Sequence, residues 1–593
     1  MITRMTKYSF VLLSKDTPGF LNQIQDLGMV DINREEKAVD TASKEMADRI
    51  AAYTQCLSKL KELNAPVETY TGTAHALFEE ATALFAKQDN LKVEIDSLAE
   101  GLAAATPWGN FTKEDLEKIN EMGMTLHAYI VPTKRVDPQW STLYPLQVMN
   151  EENGNTYFVV METPDNQPYA FPVSETPFPT LPAEVLTERW QSKVQELEQV
   201  QQRLTLLAGY YPALKAECDA VHSKLDLYLA NAGSRKEAEG HLDILTGFIP
   251  KDRKITFDSF LEKECIYYES AAACEEDNPP IKLKNNWFAR LYEPIGNLYM
   301  LPTYNELDLT PYFAPFYMLF FGLCLGDMGY GLIFMALGIA GRFIVPKMKG
   351  YLNLVFLLGL GTVLMGALTG VVFGTKIADW WPAVNNQHVL FRMTDMNMFW
   401  FAILFGLFQI VFARILRGID LCIRKGWQHG LSSFGWAILI VWCTIAYAST
   451  SIPSLAMPKN VSLALVILSV ILILFFSKPE GPIYKRVGPG LWAMYDITGV
   501  FGDMLSYIRL FGLGTSGGIL GMVMNKIAFS LSGVPYVGWL FTLIILLFGH
   551  SLVLALSSLG AFVHPLRLTF VEFYKNVGFT GGGRQYRPLK NNK

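Results

Sequence analysis

GLWAMYDITGVFGDMLSYIRLFGLGTSGGILGMVMNKIAF, residues 490–529, decides how this chain is read. As one helix these 40 residues would run ~60 Å, about twice the ~30 Å hydrocarbon core of a bilayer. Such a helix must tilt strongly or project from the membrane. Near its midpoint sits Arg509, 19 and 20 residues from the two ends and too deep for its head to snorkel to water. A charge held inside a membrane marks an ion pathway by default. Ser506, Gly512, Ser516 and Gly517 lie within one or two turns of it. That small, polar surface around one cation invites a close helix neighbour. Asp496 and Asp503, seven residues apart, share a stripe turned away from Arg509. Two readings of them stand: lining of a water-filled inlet, or packing and capping charges.

A second long apolar stretch, 536–574, carries Arg567 in AFVHPLRLTFVEF (561–573). His564 precedes it by three residues on the same face, and Glu572 follows by five, about 140° around the helix. Arg567 stands nearer the cytoplasmic end, so snorkelling or pairing with Glu572 competes with a role in ion transfer. Pro565 removes a backbone donor and should bend the helix just before the arginine.

Five further apolar stretches lie at 311–345, 352–374, 397–417, 431–450 and 461–477. Charge parity decides whether the first is one span or two broken at GDMGYG (326–331). With two, the inner segments 342–350, 414–430, 478–489 and 574–593 hold 3, 4, 3 and 5 Lys+Arg, a total of 15. The outer segments 326–331, 375–396, 450–460 and 530–535 hold 0, 2, 1 and 0, a total of 3. One span would reverse every loop, against the positive-inside rule. Eight spans with both termini cytoplasmic follow. Gly366, Gly370 and Gly374 suggest a small-residue packing face on the third span. Asp327 in GDMGYG reads as part of a helix-hairpin turn, with ion ligation the alternative.

The first half is different. Residues 1–300 carry 29 Lys+Arg against 45 Asp+Glu, a net of −16, whereas 301–593 carry 21 against 10, a net of +11. An acidic soluble half is fused to an apolar membrane half. So acidic a half argues against nucleic acid as a partner. Seven cysteines, none in a CxxC pair, suggest reduced thiols without a zinc site. The first 20 residues lack the apolar core of a secretory signal, so this half is expected to stay cytoplasmic.

Strand, helix and strand are expected at 7–13, 17–27 and 28–33. A 4-3 apolar seam then runs through Met46, Ile50, Tyr53, Leu57 and Leu60. After a break at 64–72 it resumes at Leu77, Ala81, Leu84, Gln88, Leu91, Ile95, Leu98 and Leu102. It returns at Leu207, Tyr211, Leu214, Cys218, Val221, Leu225 and Tyr228 in a helical stretch that Pro212 should kink. The expected fold is mainly α. An antiparallel coiled-coil hairpin (41–105 and 183–232) carries two small α/β lobes, one from about 1–40 with 240–300 and one at 106–182. An eight-helix transmembrane domain (301–575) ends in two long tilted helices, followed by a tail at 576–593.

No GxxxxGK[ST], HExxH or GxSxG occurs, and no metal-spaced His/Cys set. No catalytic residue, cofactor or metal is therefore expected, and energy must come from a partner or an ion gradient. With these residues in hand, the chain resembles the membrane stator subunit of V-type (A/V-type) rotary ATPases, subunit I in prokaryotes and subunit a in eukaryotes. SYIRLFGLG (506–514) is similar to the family's SYxRLxAL, and FVHPLRLTFVEF (562–573) to its VHxLRLxxVEF. GDMGYG, GFIP (247–250) and PTYNELD (302–308) are similar to its GDxGxG, GWVP and PxYxExD respectively.

The resemblance implies that a ring of rotor proteolipids, each with one carboxylate, turns against this subunit. It makes Arg509 the essential arginine and Arg567 the second. Glu572, His564, Asp503, Asp496 and Ser506 complete the expected ion-translocation set, for H⁺ or Na⁺. The soluble half would hold peripheral stalk subunits and so connect indirectly to the catalytic ATPase sector. Where eukaryotic relatives carry a His eight residues after the first arginine and a Glu ten before the second, this chain has Gly517 and Ser557. The shorter chain suits a prokaryotic plasma membrane. An independent channel or secondary transporter with a regulatory stalk is the alternative reading; the repeat symmetry such a transporter should show is not apparent.

Overall fold

The computed structural model describes residues 1–34, 40–109, 111–162, 171–179, 181–377, 395–480, 482–532 and 536–590. The fold is mainly helical. It divides into two compact units, 12–245 with 589–593, and 1–11 with 246–588.

In the first of these, helix Thr41–Glu62 starts at an Asp40–Ser43 capping box and packs on helix Tyr211–Ala232. Helix Ala74–Ala105 packs on helix Ala183–Gly209. The seam residues Ile50, Tyr53, Leu57, Leu60, Leu77, Ala81, Leu91, Leu207, Leu214, Cys218 and Val221 form one buried cluster, as a 4-3 repeat dictates. Ion pairs Arg203–Glu80, Lys87–Glu196 and Lys193–Glu94 show one helix rising as its partner falls, an antiparallel pair. Pro212 does more than kink. The helix stops at Gly209 and a new one starts at Tyr211, with the proline where no backbone donor is needed. A three-stranded antiparallel sheet follows the first helix pair: Thr125–Pro132 and Leu146–Glu152 flank Asn155–Glu162, with Tyr129, Val131, Phe158 and Val160 in its core. The strand expected at 28–33 is reduced to Asp31–Ile32.

In the second unit, Thr6–Val11 pairs antiparallel with Tyr267–Ala272, and Phe257 of helix Lys254–Lys263 packs edge-on against Tyr8 and Phe10. Among the described residues six helices are long and apolar enough to cross a membrane: Pro346–Thr369, Met396–Lys425, Trp427–Thr450, Lys459–Phe476, Arg486–Ser530 and Gly538–Val577. Two shorter apolar helices, Thr310–Leu325 and Met328–Ile344, precede them. Residues 378–394 and 533–535, parts of two expected outer loops, lie outside the described residues.

Three local expectations are corrected. The expected inner loop 414–430 is helical, apart from Gly426 between Asp395–Lys425 and Trp427–Ser451. Gly366, Gly370 and Gly374 do not line one helix face, because the helix ends at Thr369 and Gly370 is its left-handed cap. Gly366 packs against the start of the Met328 helix, and Gly374 sits in a short hairpin (371–376) against Gly521. The 490–529 helix begins earlier, at Ile483, and steps at Tyr495 and Tyr507 into Ile483–Met494, Asp496–Ser506 and Ile508–Ser530.

Asp327 resolves into structure. Fully buried, its carboxylate accepts from the backbone N–H groups of Gly329, Tyr330, Phe373 and Gly374 at 2.7–3.3 Å. It caps one helix and ties down the hairpin, while Gly326 turns the chain at φ +61°. Outside the membrane-length helices, Glu306 does similar work. Its carboxylate accepts from Thr303 N–H at 2.8 Å, from the Thr580 N–H and hydroxyl, and from Gly581 N–H at 3.2 Å. Burial alone would raise its pKa, but these hydrogen bonds hold it below the usual carboxylate value.

Candidate ion-translocation site

The site is built on the Ile508–Ser530 and Gly538–Arg567 helices, which pack antiparallel. Their rungs follow one another. Asp503 meets Lys575 and Asn576, Ser506 meets Glu572, Gly517 meets Ser557, and Asn525 meets His550. Arg509 is therefore level with the 564–569 stretch.

The Asp503 rung is hydrogen-bonded. Asp503, buried, accepts from Lys575 Nζ at 3.1 Å and from Asn576 Nδ2 at 2.8 Å. The same Asn576 amide donates to the Glu572 carbonyl at 2.7 Å. Glu572 is 1% exposed and lies within electrostatic reach of Ser506, whose hydroxyl donates to the Gly502 carbonyl at 3.3 Å; the carboxylate Oε2 has no partner among the described residues. Pro565 starves the ladder of one donor, and three residues on the helix widens into a π-helical turn, Leu568–Phe573, that contains Glu572.

At the arginine rung, Arg509 is half-buried and Arg567 exposed, with His564 within electrostatic reach of both guanidinia. Among the described residues neither arginine has an ion-pair or hydrogen-bond partner. Glu572 feels the charge of Arg567 without pairing with it. Arg509 lies on an uncovered stripe with Leu505, Gly512, Ser516, Ile519 and Val523, and a Cβ on Gly512 would meet nothing within 4 Å. Gly514 and Gly517, by contrast, are buried against Leu323 and Ser557. The small residues thus divide into a packed side and an open side, and Arg509 belongs to the open one.

Of the seven residues singled out from sequence, the structure brings six together: Asp503, Ser506, Glu572, Arg509, His564 and Arg567. Asp496 stands apart, exposed, within electrostatic reach of Arg414 and Arg417 on the Asp395–Lys425 helix. Sequence reading missed Lys575, Asn576 and Gln409, whose polar atoms meet partners 72, 73 and 98 residues away. It also missed Arg414, buried over the Trp436 ring. A buried-length helix carrying a glutamine and two arginines was the available signal. No group of three or more His, Cys, Asp or Glu able to hold a metal is present among the described residues.

No family model matches the chain. Over 628 aligned residues it is 26% identical to V-type ATP synthase subunit I of Borreliella burgdorferi, with all of both chains covered. It is 22% identical to V-type ATP synthase subunit I 1 of Treponema pallidum, again over the whole of both chains. To A-type ATP synthase subunit I of Methanocaldococcus jannaschii it is 29% identical, covering 56% of this chain and 53% of that one. Among solved structures, the cytoplasmic N-terminal domain of subunit I, homolog of subunit a, of V-ATPase is matched over its whole length by 45% of this chain. That match has 12% identity and a TM-score of 0.21, too low to carry an argument.

Proposed function

We propose that this homologue of the V-type and A-type ATP synthase subunits I is the stator of the membrane sector of a rotary ATPase or ATP synthase, working without ATP hydrolysis of its own. Its open Arg509 stripe faces a ring of lipid-embedded proteolipids, and each rotor carboxylate arriving there is held ionised by the guanidinium. A guanidinium keeps its proton (pKa above about 12), so it can lower a neighbouring carboxylate's pKa and drive its proton off. The carboxylate then reloads from the other side. Arg509 thereby separates two half-channels, and rotation becomes obligatory for ion transfer.

One observation carries this reading: a half-buried Arg509, without an ion-pair or hydrogen-bond partner among the described residues, on an uncovered small-residue stripe in the middle of a 45-residue apolar helical run. Structural arginines inside a membrane are paired or packed away, as Arg414 is over the Trp436 ring, whereas Arg509 faces an open stripe. The Ser506–Glu572 and Asp503–Asn576 rungs supply polar groups on the inner side. The helix pairs of the 12–245 unit form an antiparallel coiled-coil hairpin that anchors peripheral stalks, so the stator does not turn with the ring. Eight spans place both termini in the cytoplasm of a prokaryote, with the two short helices Thr310–Leu325 and Met328–Ile344 as the first two. Affinity purification of the tagged full chain from its own membrane is the test. Recovery of a small proteolipid together with ATPase subunits is expected; a chain purified alone from gently solubilised membranes contradicts the proposal.

A further inference from the structure

Away from the inner rungs, a second polar chain crosses the same pair of helices. Tyr330 Oη lies 2.8 Å from His550 Nδ1, and His550 Nε2 lies 2.9 Å from Asn525 Oδ1. Asn525 Nδ2 donates to the Phe373 carbonyl at 2.7 Å. That last bond fixes the amide, leaving its oxygen toward the imidazole. Nε2 therefore carries the proton, and Nδ1 accepts from the tyrosine O–H. Tyr330 and Asn525 are buried and His550 half-buried. The carboxylate of Asp327 stands within electrostatic reach of the ring.

The position of this chain is as informative as its bonds. Asn525 lies 16 residues beyond Arg509, on the side opposite the Asp503 rung, which in the proposed topology is the outer side. On the last helix His550, Ser557 and His564 recur every seven residues, so they share one stripe. The stripe ends at the histidine that feels both arginines. Glycines face it from the other helix: Gly517 opposite Ser557 and Gly521 beside the Tyr330 hydroxyl. A lock between helices needs only hydrogen bonds, which an amide would supply. Imidazole adds the capacity to change protonation near neutral pH.

We propose that Tyr330, His550 and Asn525, continued by Ser557 and His564 on the same helix face, form the outer proton route to the arginine pair, with His550 the group that takes up and releases the proton. The inference rests on the stator reading above and commits the coupling ion to H⁺. In the transfer, Nδ1 receives a proton from the outer side while the Tyr330 hydroxyl turns to accept. The imidazolium then donates from both nitrogens. Release of the Nδ1 proton to water in the glycine-faced stripe, which spans the ~10 Å to Ser557, restores the neutral ring. Protons are conserved and no further reactant is needed.

The test uses the whole complex in sealed vesicles without sodium, reading ATP-driven acidification with a pH-sensitive dye and assembly by rotor co-purification. His550→Gln keeps an acceptor for Tyr330 and a donor for Asn525 but cannot carry a proton. It should assemble normally and pump at least about 10-fold more slowly, the lower end of what a positioned proton carrier contributes. Tyr330→Phe should also slow pumping per assembled complex. Wild-type pumping in His550→Gln overturns the route, as does a wild-type complex that moves no proton without sodium. Should His550→Gln fail to assemble, Tyr330→Phe decides: slowed pumping supports the route and wild-type pumping overturns it. Arg509→Lys run in parallel separates the two claims. If it is inactive while His550→Gln pumps, the route alone fails; if both pump, the stator reading fails too.

Discussion

The hydroxyl of Tyr507 donates a 2.8 Å hydrogen bond to Oε1 of Gln409, and both side chains are fully buried. The ring lies against Gly406, one turn before Gln409 on the same helix, where a Cβ would overlap it. Tyr507 is also where the long helix steps, through hydrogen bonds from Tyr507 N–H to the Met504 carbonyl and from Leu510 N–H to the Tyr507 carbonyl. Arg509 follows by two residues, about 200° around the helix. An anchored Tyr507 on one side thus turns Arg509 to the opposite, open side.

Gly406→Ala should therefore disturb Arg509 without touching it. The overlap with the Tyr507 ring is expected to cost about 1–3 kcal/mol of stability, the range for overpacking. Tyr507→Phe leaves Gln409, whose Nε2 already lacks a partner, with its Oε1 also unmet, again about 1–3 kcal/mol. Thermal unfolding of the detergent-solubilised chain checks both; unchanged midpoints would contradict the anchoring role.

Glu306 gives a pH dependence outside the membrane helices. Its folded pKa is depressed, so its stabilising contribution is present above the unfolded value of about 4.3 and is lost as pH falls through the folded value. The 303–306 and 580–581 segments should separate in that acid window, detectable as faster amide exchange at Thr303, Thr580 and Gly581. In Glu306→Gln exchange there should already be fast at pH 7. Protection that stays constant in acid and in the variant would refute this role.

The helical seams, the two over-long helices and the arginine pair were legible because each is a local pattern: a 4-3 repeat, a run of apolar residues, a charge where none belongs. The resemblance drawn from the short motifs is borne out by the homologous subunits I. What stayed hidden was long-range. Nothing near Asp503 announces Lys575 or Asn576, and nothing near Tyr330 announces His550, 220 residues away. The steps at Tyr495 and Tyr507 were hidden too, since neither residue breaks a helix by its own chemistry. Pro565 was visible as a missing donor, but nothing in 568–573 announces the π-helical turn that follows it.

Topology is open to chemistry. On a background without native cysteines, single cysteines placed in 375–396 and 450–460 should react with an impermeant thiol reagent from outside, and those in 414–430 should not. Labelling of 414–430 from outside would reverse the orientation and put the Asp503 rung on the wrong side.

The purified full chain should hydrolyse no ATP, since it carries no phosphate-binding loop. Turnover above background in a chain free of other subunits would place catalysis here and not in its partners.

The most direct test of the central claim is ATP-driven ion pumping by reconstituted complexes carrying Arg509→Lys. Lysine keeps a cation but can lose its proton in an apolar setting, where arginine cannot. Pumping should be abolished with assembly intact, while Arg567→Lys, on the same rung but exposed, should impair less. A complex with Arg509→Lys that pumps at the wild-type rate would contradict the account.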